Sequence, residues 1–129
     1  MKKRIVFFVL VFIIAIMALS ACSVVNDIST VSDNGKAFMT ALRDGDHTTS
    51  WNLLTPEVQT EIGSQEAWVD FATPRNFSDW KFTNTSVENN TAQMDGETTL
   101  GAETYTVLLV FAKLNDAWKI SGINFTFLK

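Results

Sequence analysis

Three chemically capable side chains occur once each in this sequence: the thiol of Cys22, the imidazole of His47 and the phenol of Tyr105. A single thiol excludes an internal disulfide, CxxC redox chemistry and a multi-thiolate metal site. A single imidazole excludes a histidine-pair metal centre. His47 stands beside Asp44 and Asp46, a grouping that could form a base pair of groups or a weak hard-cation site. The triplet Asp44-Gly45-Asp46 lacks the regularly spaced oxygens and distal glutamate of a calcium loop. Aspartates at such a place are expected to cap the following helix instead. Tyr105 follows Glu103 by two residues, and Asp70 and Asp79 are further acids nearby in sequence. A pocket carboxylate with a raised pKa could act there as a general base, although two residues at a strand start are expected to make an ordinary polar pair. No Ser-His-Asp set, HExxH motif or glycine-rich phosphate loop occurs. No residue is therefore assigned as catalytic or metal-binding, no cofactor is expected, and the chain is read as not an enzyme. Trp51, Trp68, Trp80 and Tyr105 remain as aromatics that could line a ligand pocket, though each tryptophan also lies on the apolar parity of its element, as a core residue would.

Position decides the reading of Cys22. Met1-Lys2-Lys3-Arg4 is a positive cluster, and Ile5 to Leu19 is a run of fifteen residues without a polar side chain. Ser20, Ala21 and Cys22 follow. A basic start, an apolar stretch and a small-residue end describe a secretory signal peptide; the run is short for a membrane-spanning helix, which needs about 20 apolar residues. Leu19-Ser20-Ala21-Cys22 resembles the lipobox of bacterial lipoprotein precursors. That resemblance implies cleavage before Cys22 and acylation of its sulfur, with palmitate-type chains holding the protein on the cell envelope. Two or more acyl chains, at roughly 0.8 kcal/mol per buried methylene, anchor stably where one does not.

Loss of residues 1–21 would leave 108 residues, the length of one domain. Seven of the ten basic residues and all fourteen acidic ones lie in that part, for a net charge of −7. Such a body repels phosphate backbones and anionic headgroups. Nucleic acid is not expected as a partner, and attachment to a bilayer must come from the lipid on Cys22. Four N-x-S/T sequons, at Asn76, Asn84, Asn89 and Asn124, read as the chance product of an Asn- and Thr-rich region.

Residues 22–31 are expected to be a short tether and residues 32–129 the domain. A helix is expected over Ser32–Asp44, with Ser32 as cap, Phe38 and Leu42 on its apolar stripe and Gly45 as its stop. Asp46 caps a helix carrying Trp51 and Leu54. Thr55-Pro56 starts another with Val58 and Ile62, ended by Gly63. Ser64 caps a last segment holding Trp68 and Phe71 and closed by Thr73-Pro74. After Pro74 the periodicity changes to alternation. Phe77, Trp80 and Phe82 begin a strand, with Val87 on the opposite parity. Asn89-Asn90 is a turn, and Thr91–Leu100 reads as a weak or edge strand. Glu103–Leu114 is the strongest strand, expected to be covered on both faces over its far half. Asn115-Asp116 is a tight turn. In the last strand, Trp118 and Ile120 share one parity and Ile123, Phe125 and Phe127 the other; a β-bulge at Ser121-Gly122 would return both sets to one face.

Helices first and a meander after is an α+β order: N-terminal helices packed on a curved antiparallel sheet of about four strands, preceded by a signal peptide. The runs FMTALRDGDHTTSWNLLTPEV and YTVLLVFAKLNDAWKISGINF resemble the lipoprotein branch of the nuclear-transport-factor-2-like, cystatin-like-roll superfamily. The resemblance implies a roll whose relatives include isomerases, hydrolases, dimerisation modules and small-ligand binders. The expected function is a membrane-anchored extracytoplasmic lipoprotein, a non-catalytic module for an envelope ligand or protein. The alternatives are an enzyme using a pocket carboxylate with Tyr105, and a domain that self-associates through the outer face of its sheet.

Overall fold

The computed structural model describes residues 24–129. The expected signal peptide, its Leu19-Ser20-Ala21 motif, Cys22 and Ser23 lie outside the described residues.

The first helix, α1, covers residues 24–44, so the stretch expected as a tether is helical from its third residue and Ser32 is not a cap. The physical reason is a stripe longer than Phe38–Leu42. Val24, Ile28, Val31, Gly35, Phe38 and Leu42 recur at three- and four-residue spacing, the period of one helix face. Val31, Phe38, Met39 and Leu42 are buried. Gly35 sets the closeness of the packing: a Cβ there would collide with the Met94 sulfur and stand 2.9 Å from Met94 Cε. A side chain there would require the Met94 thioether to move aside.

Three short helices follow where their caps were expected. α2 (His47–Asn52) starts at Asp46, whose carboxylate accepts from the Thr49 N–H. α3 (Pro56–Ile62) starts at Thr55, whose hydroxyl accepts from the Val58 N–H, and stops at Gly63 with φ 100°. α4 (Gln65–Ala72) starts at Ser64 and runs into a 3-10 turn, Thr73–Arg75. Between α2 and α3 the chain touches the sheet, with the Ile120 N–H donating to the Leu53 carbonyl at 2.7 Å and the Thr55 N–H to the Ile120 carbonyl at 2.9 Å. Among the described residues no helix is long and apolar enough to cross a membrane.

Strands β1 (Asp79–Glu88), β2 (Thr91–Leu100), β3 (Glu103–Leu114) and β4 (Ala117–Phe127) form one antiparallel sheet in the order β1-β2-β3-β4. β2 is thus an interior strand, not an edge. Apart from Thr98 its polar residues belong to the solvent face, while Ala92, Met94 and Thr98 are buried on the other. The hairpin turns use Asn89 at φ 55° and Asn115 and Asp116 at φ 50° and 63°, conformations that Asn and Asp tolerate. β4 has the expected bulge: Val110 pairs with Gly122 and Phe111 with Ile120, leaving Ser121 over. β1 has a second one. Phe82 pairs with Gly96 and Asn84 with Asp95, so Thr83 is extra and Val87 returns to the face of Trp80 and Phe82. Gly96 is required there, because a Cβ would strike the Lys81 carbonyl and lie 2.7 Å from Phe82 Cα.

Two bulges on the two outer strands bend the sheet around α1. The hollow is filled by Phe38, Met39, Leu42, Trp68, Phe77, Met94, Leu109, Phe111 and Ile120, all at most 1% exposed. The outer face has no second layer among the described residues. Leu108, Val110 and Leu114 stay half-buried, so the two-sided cover expected for β3 is not found.

Candidate ligand-binding clefts

Because the core fills the roll, the spaces left for a ligand lie at its margins. One cleft of about 520 Å³ opens between α3, α4 and the β4 bulge, lined chiefly by Val58, Ile62, Trp68, Phe71 and Ile123, with Glu61 the one carboxylate on its wall. The β4 bulge forms one wall of it, with Ser121 and Gly122 at its edge. Trp68 stacks on Phe71 with ring centroids 5.3 Å apart. The Trp68 indole is fixed from behind by its N–H, which donates to the buried Ser50 hydroxyl at 2.8 Å.

A second cleft of about 320 Å³ lies at the end of the roll where β2 turns into β3. Pro74, Arg75, Phe77, Leu100, Tyr105 and Phe125 line it. Phe77 and Phe125 are 4.5 Å apart, and Phe77 meets Tyr105 edge-on at 5.7 Å. Arg75 lines the smaller cleft and meets Phe71, which lines the larger. Its guanidinium lies 3.8 Å over the Phe71 ring and donates to the Phe71 carbonyl at 2.6 Å. The 3-10 turn after α4 places it there, on the wall of the smaller cleft.

The four aromatics singled out in the sequence do not share a pocket. Trp68 borders the larger cleft and Tyr105 the smaller. Trp51 and Trp80 are half-buried beside the core, Trp80 with the Arg43 guanidinium 5.4 Å from its ring, and neither lines these clefts. The Tyr105 hydroxyl donates to the exposed Glu103 carboxylate at 2.7 Å, which holds the phenol above its usual pKa. The pair therefore faces solvent at the strand start. Asp70 and Asp79 are also exposed, and Asp79 accepts from the Trp80 N–H at 2.9 Å.

Asp44 and Asp46 are engaged locally. Arg43 binds both oxygens of Asp44, at 2.7 and 3.2 Å. Asp46 accepts from the Thr49 N–H and hydroxyl. These contacts hold both carboxyls below the usual range. His47 Nδ1 is buried without a hydrogen-bond partner. Among the described residues no three His, Cys, Asp or Glu side chains converge.

Sequence reasoning missed Arg75, Ile123 and Phe125 as cleft residues. The signal for the last two was the parity switch at Ser121-Gly122, which marks a bend and hence an opening. Arg75 carried no periodic signal.

The outer face of the sheet has a hollow of about 590 Å³ over Lys81, Thr83, Gln93, Asp95, Glu97, Thr106, Leu108 and Asn124. It is a polar saddle made by strand residues alone.

No protein-family model and no curated protein matches this chain. Solved structures do. An NTF-2 like protein of unknown function from Silicibacter pomeroyi DSS-3 superposes with a TM-score of 0.63 at 12% identity, over 81% of this chain and 98% of its own. A DUF4783 family protein from Bacteroides uniformis ATCC 8492 superposes at 0.58 with 10% identity, over 73% of this chain and 96% of its own. An NTF2 chain carrying five substitutions superposes at 0.54 with 15% identity, over 70% and 90%. Helices followed by a curved four-stranded antiparallel meander, shared with these chains over nearly their full lengths, make the fold an NTF2-like roll.

Proposed function

We propose that this chain is a lipid-anchored extracytoplasmic lipoprotein whose NTF2-like roll binds a small apolar ligand without transforming it. The anchor is read from Leu19-Ser20-Ala21-Cys22 behind its apolar run. One observation carries the binding: the cleft of about 520 Å³ between α3, α4 and the β4 bulge. Its size falls within the roughly 300–1,000 Å³ of small-molecule sites, and such sites are mainly apolar with few polar groups. Phe71, 37% exposed and backed by the buried Trp68, is its aromatic edge, and Arg75 against Phe71 stands at its border for a ligand with an acidic end.

Native mass spectrometry of the full chain released from its own membranes tests this. The expected result is a non-covalent apolar adduct that is lost in Ile62→Trp, where the indole fills the cleft. An adduct-free wild type under conditions that keep the fold would overturn the reading. Adduct retained in Ile62→Trp would place binding elsewhere.

A second reading, an extended peptide in place of a small molecule, is favoured by the edge of β4. Among the described residues no strand pairs with that edge beyond the bulge, and an exposed strand edge beside an apolar cleft suits β-strand addition.

A further inference from the structure

The apolar stripe of α1 runs past the end of the sheet it packs on. Along it Val31 is fully buried, but Ile28 is 38% exposed and Val24 47%, and Val25 beside the stripe is 66% exposed. The sheet stops where Asp27 meets it. The Asp27 carboxylate accepts from the Lys113 ammonium and the Trp118 indole, each at 3.0 Å, at the last turn of the β3–β4 hairpin. Residues 24–26 therefore project beyond the hairpin. At this end lie also the Asn89-Asn90 turn, since the Lys113 N–H donates to the Asn90 carbonyl at 2.8 Å. The exposed charges beside these turns are Glu88 and Asp116, which repel anionic headgroups. An apolar surface with an acidic surround, beginning two residues after Cys22, suits an uncharged lipid interior reached from an adjacent anchor.

We infer that the first turn of α1 is a lipid-seating surface: Val24, Val25 and Ile28 enter the acyl boundary beside Cys22 and set the orientation of the whole roll. The inference rests on the lipoprotein reading given above. α1 then rises from the bilayer across the sheet, from Asp27 at the hairpin end to Arg43 beside Trp80 at the start of β1. The Asn89-Asn90 and Asn115-Asp116 hairpin turns face the membrane. The Gly101-Ala102 turn and the cleft of Arg75 and Tyr105 face away from it, farther by the length of β3, about 35 Å for its twelve residues. A ligand reaches that cleft from the aqueous side. The seating is apolar and therefore insensitive to salt.

The test uses the full chain, acylated in its host and reconstituted into phosphatidylcholine vesicles with and without brominated acyl chains. A fluorophore is placed on Val25→Cys or on Ala102→Cys; in the acylated protein Cys22 offers no competing thiol. The expected result is a blue-shifted label at 25 quenched several-fold by bromolipid, equally at low and high salt, and a label at 102 that is not quenched. Flotation with the vesicles but no quenching at 25 overturns the seating while leaving the anchor intact. A blue shift at 25 without quenching, together with dimeric sedimentation, overturns it in favour of a second copy covering the patch. A chain that does not float and keeps a reactive Cys22 thiol removes the anchor, and the seating with it.

Discussion

The indole N–H of Trp68 is sealed inside the helical layer, and the hydroxyl of Ser50, itself fully buried, is its acceptor. Ser50→Ala leaves that N–H without a partner and is expected to cost about 1–3 kcal/mol. Denaturant melts would read the loss, and Trp68→Phe in the same background should recover part of it because no donor is then stranded. Asp27 makes a prediction about pH. Its hydrogen bond from Trp118, then that from Lys113, hold its carboxyl below the usual value. A depressed carboxyl stabilises the fold fully above the unfolded value of about 3.9 and loses that contribution as pH falls through the folded one. Asp27→Asn should therefore melt earlier than wild type at neutral pH, and the gap should narrow as the pH is lowered towards the folded value. A gap of constant size across thermal scans from neutral to strongly acidic pH would contradict the assignment. At this scale the sequence was a partial guide. It pointed to Trp68 and Tyr105 as aromatics worth following, and it identified Asp46 as a cap. It did not reveal that Asp27, taken as part of a tether, would hold the end of the hairpin, because that contact spans 86 residues to Lys113.

Secondary structure was most legible where one residue type has one local use. Asp46, Thr55 and Ser64 began helices, and Asn115-Asp116 closed a hairpin, because caps and tight turns depend on neighbours in sequence. The β4 bulge was legible for the same reason, as a parity switch at a glycine. The β1 bulge carried the same switch between Phe82 and Val87, but its glycine, Gly96, lies on the partner strand, and register between strands is not a local property. The polarity of β2 suggested an edge, yet an interior strand of a one-sided sheet needs only one apolar face. The bulge makes a direct prediction. Gly96→Ala must move either the Lys81 carbonyl or the strand, and overpacking of this kind costs about 1–3 kcal/mol. Thermal unfolding should show Gly96→Ala well below wild type, while Ala at the solvent-facing Thr83 should stay close to it.

On the scale of the molecule, charge and shape point to one arrangement. Beyond residue 21 the chain carries a net charge of −7, so attraction to anionic membranes cannot hold it at a surface. The NTF2-like roll spends its interior on the α1 stripe and keeps its cavities at the rim, so a ligand would be held between helix and bulge rather than inside a cone. Much of this was legible in the order of helices and strands; the division into two clefts was not, because Arg75 and Phe71 meet only when the 3-10 turn folds back on α4. Each of these features gains a biological setting only if Cys22 is the attachment point. The decisive measurement is the intact mass of the protein recovered from membranes, made alongside Cys22→Ser. The account predicts a mature chain beginning at Cys22 with a diacylglyceryl-type addition, and a serine variant that stays unprocessed and lacks that mass. A membrane-derived protein with an unmodified thiol at Cys22, or a serine variant processed and retained on membranes like the wild type, would contradict it.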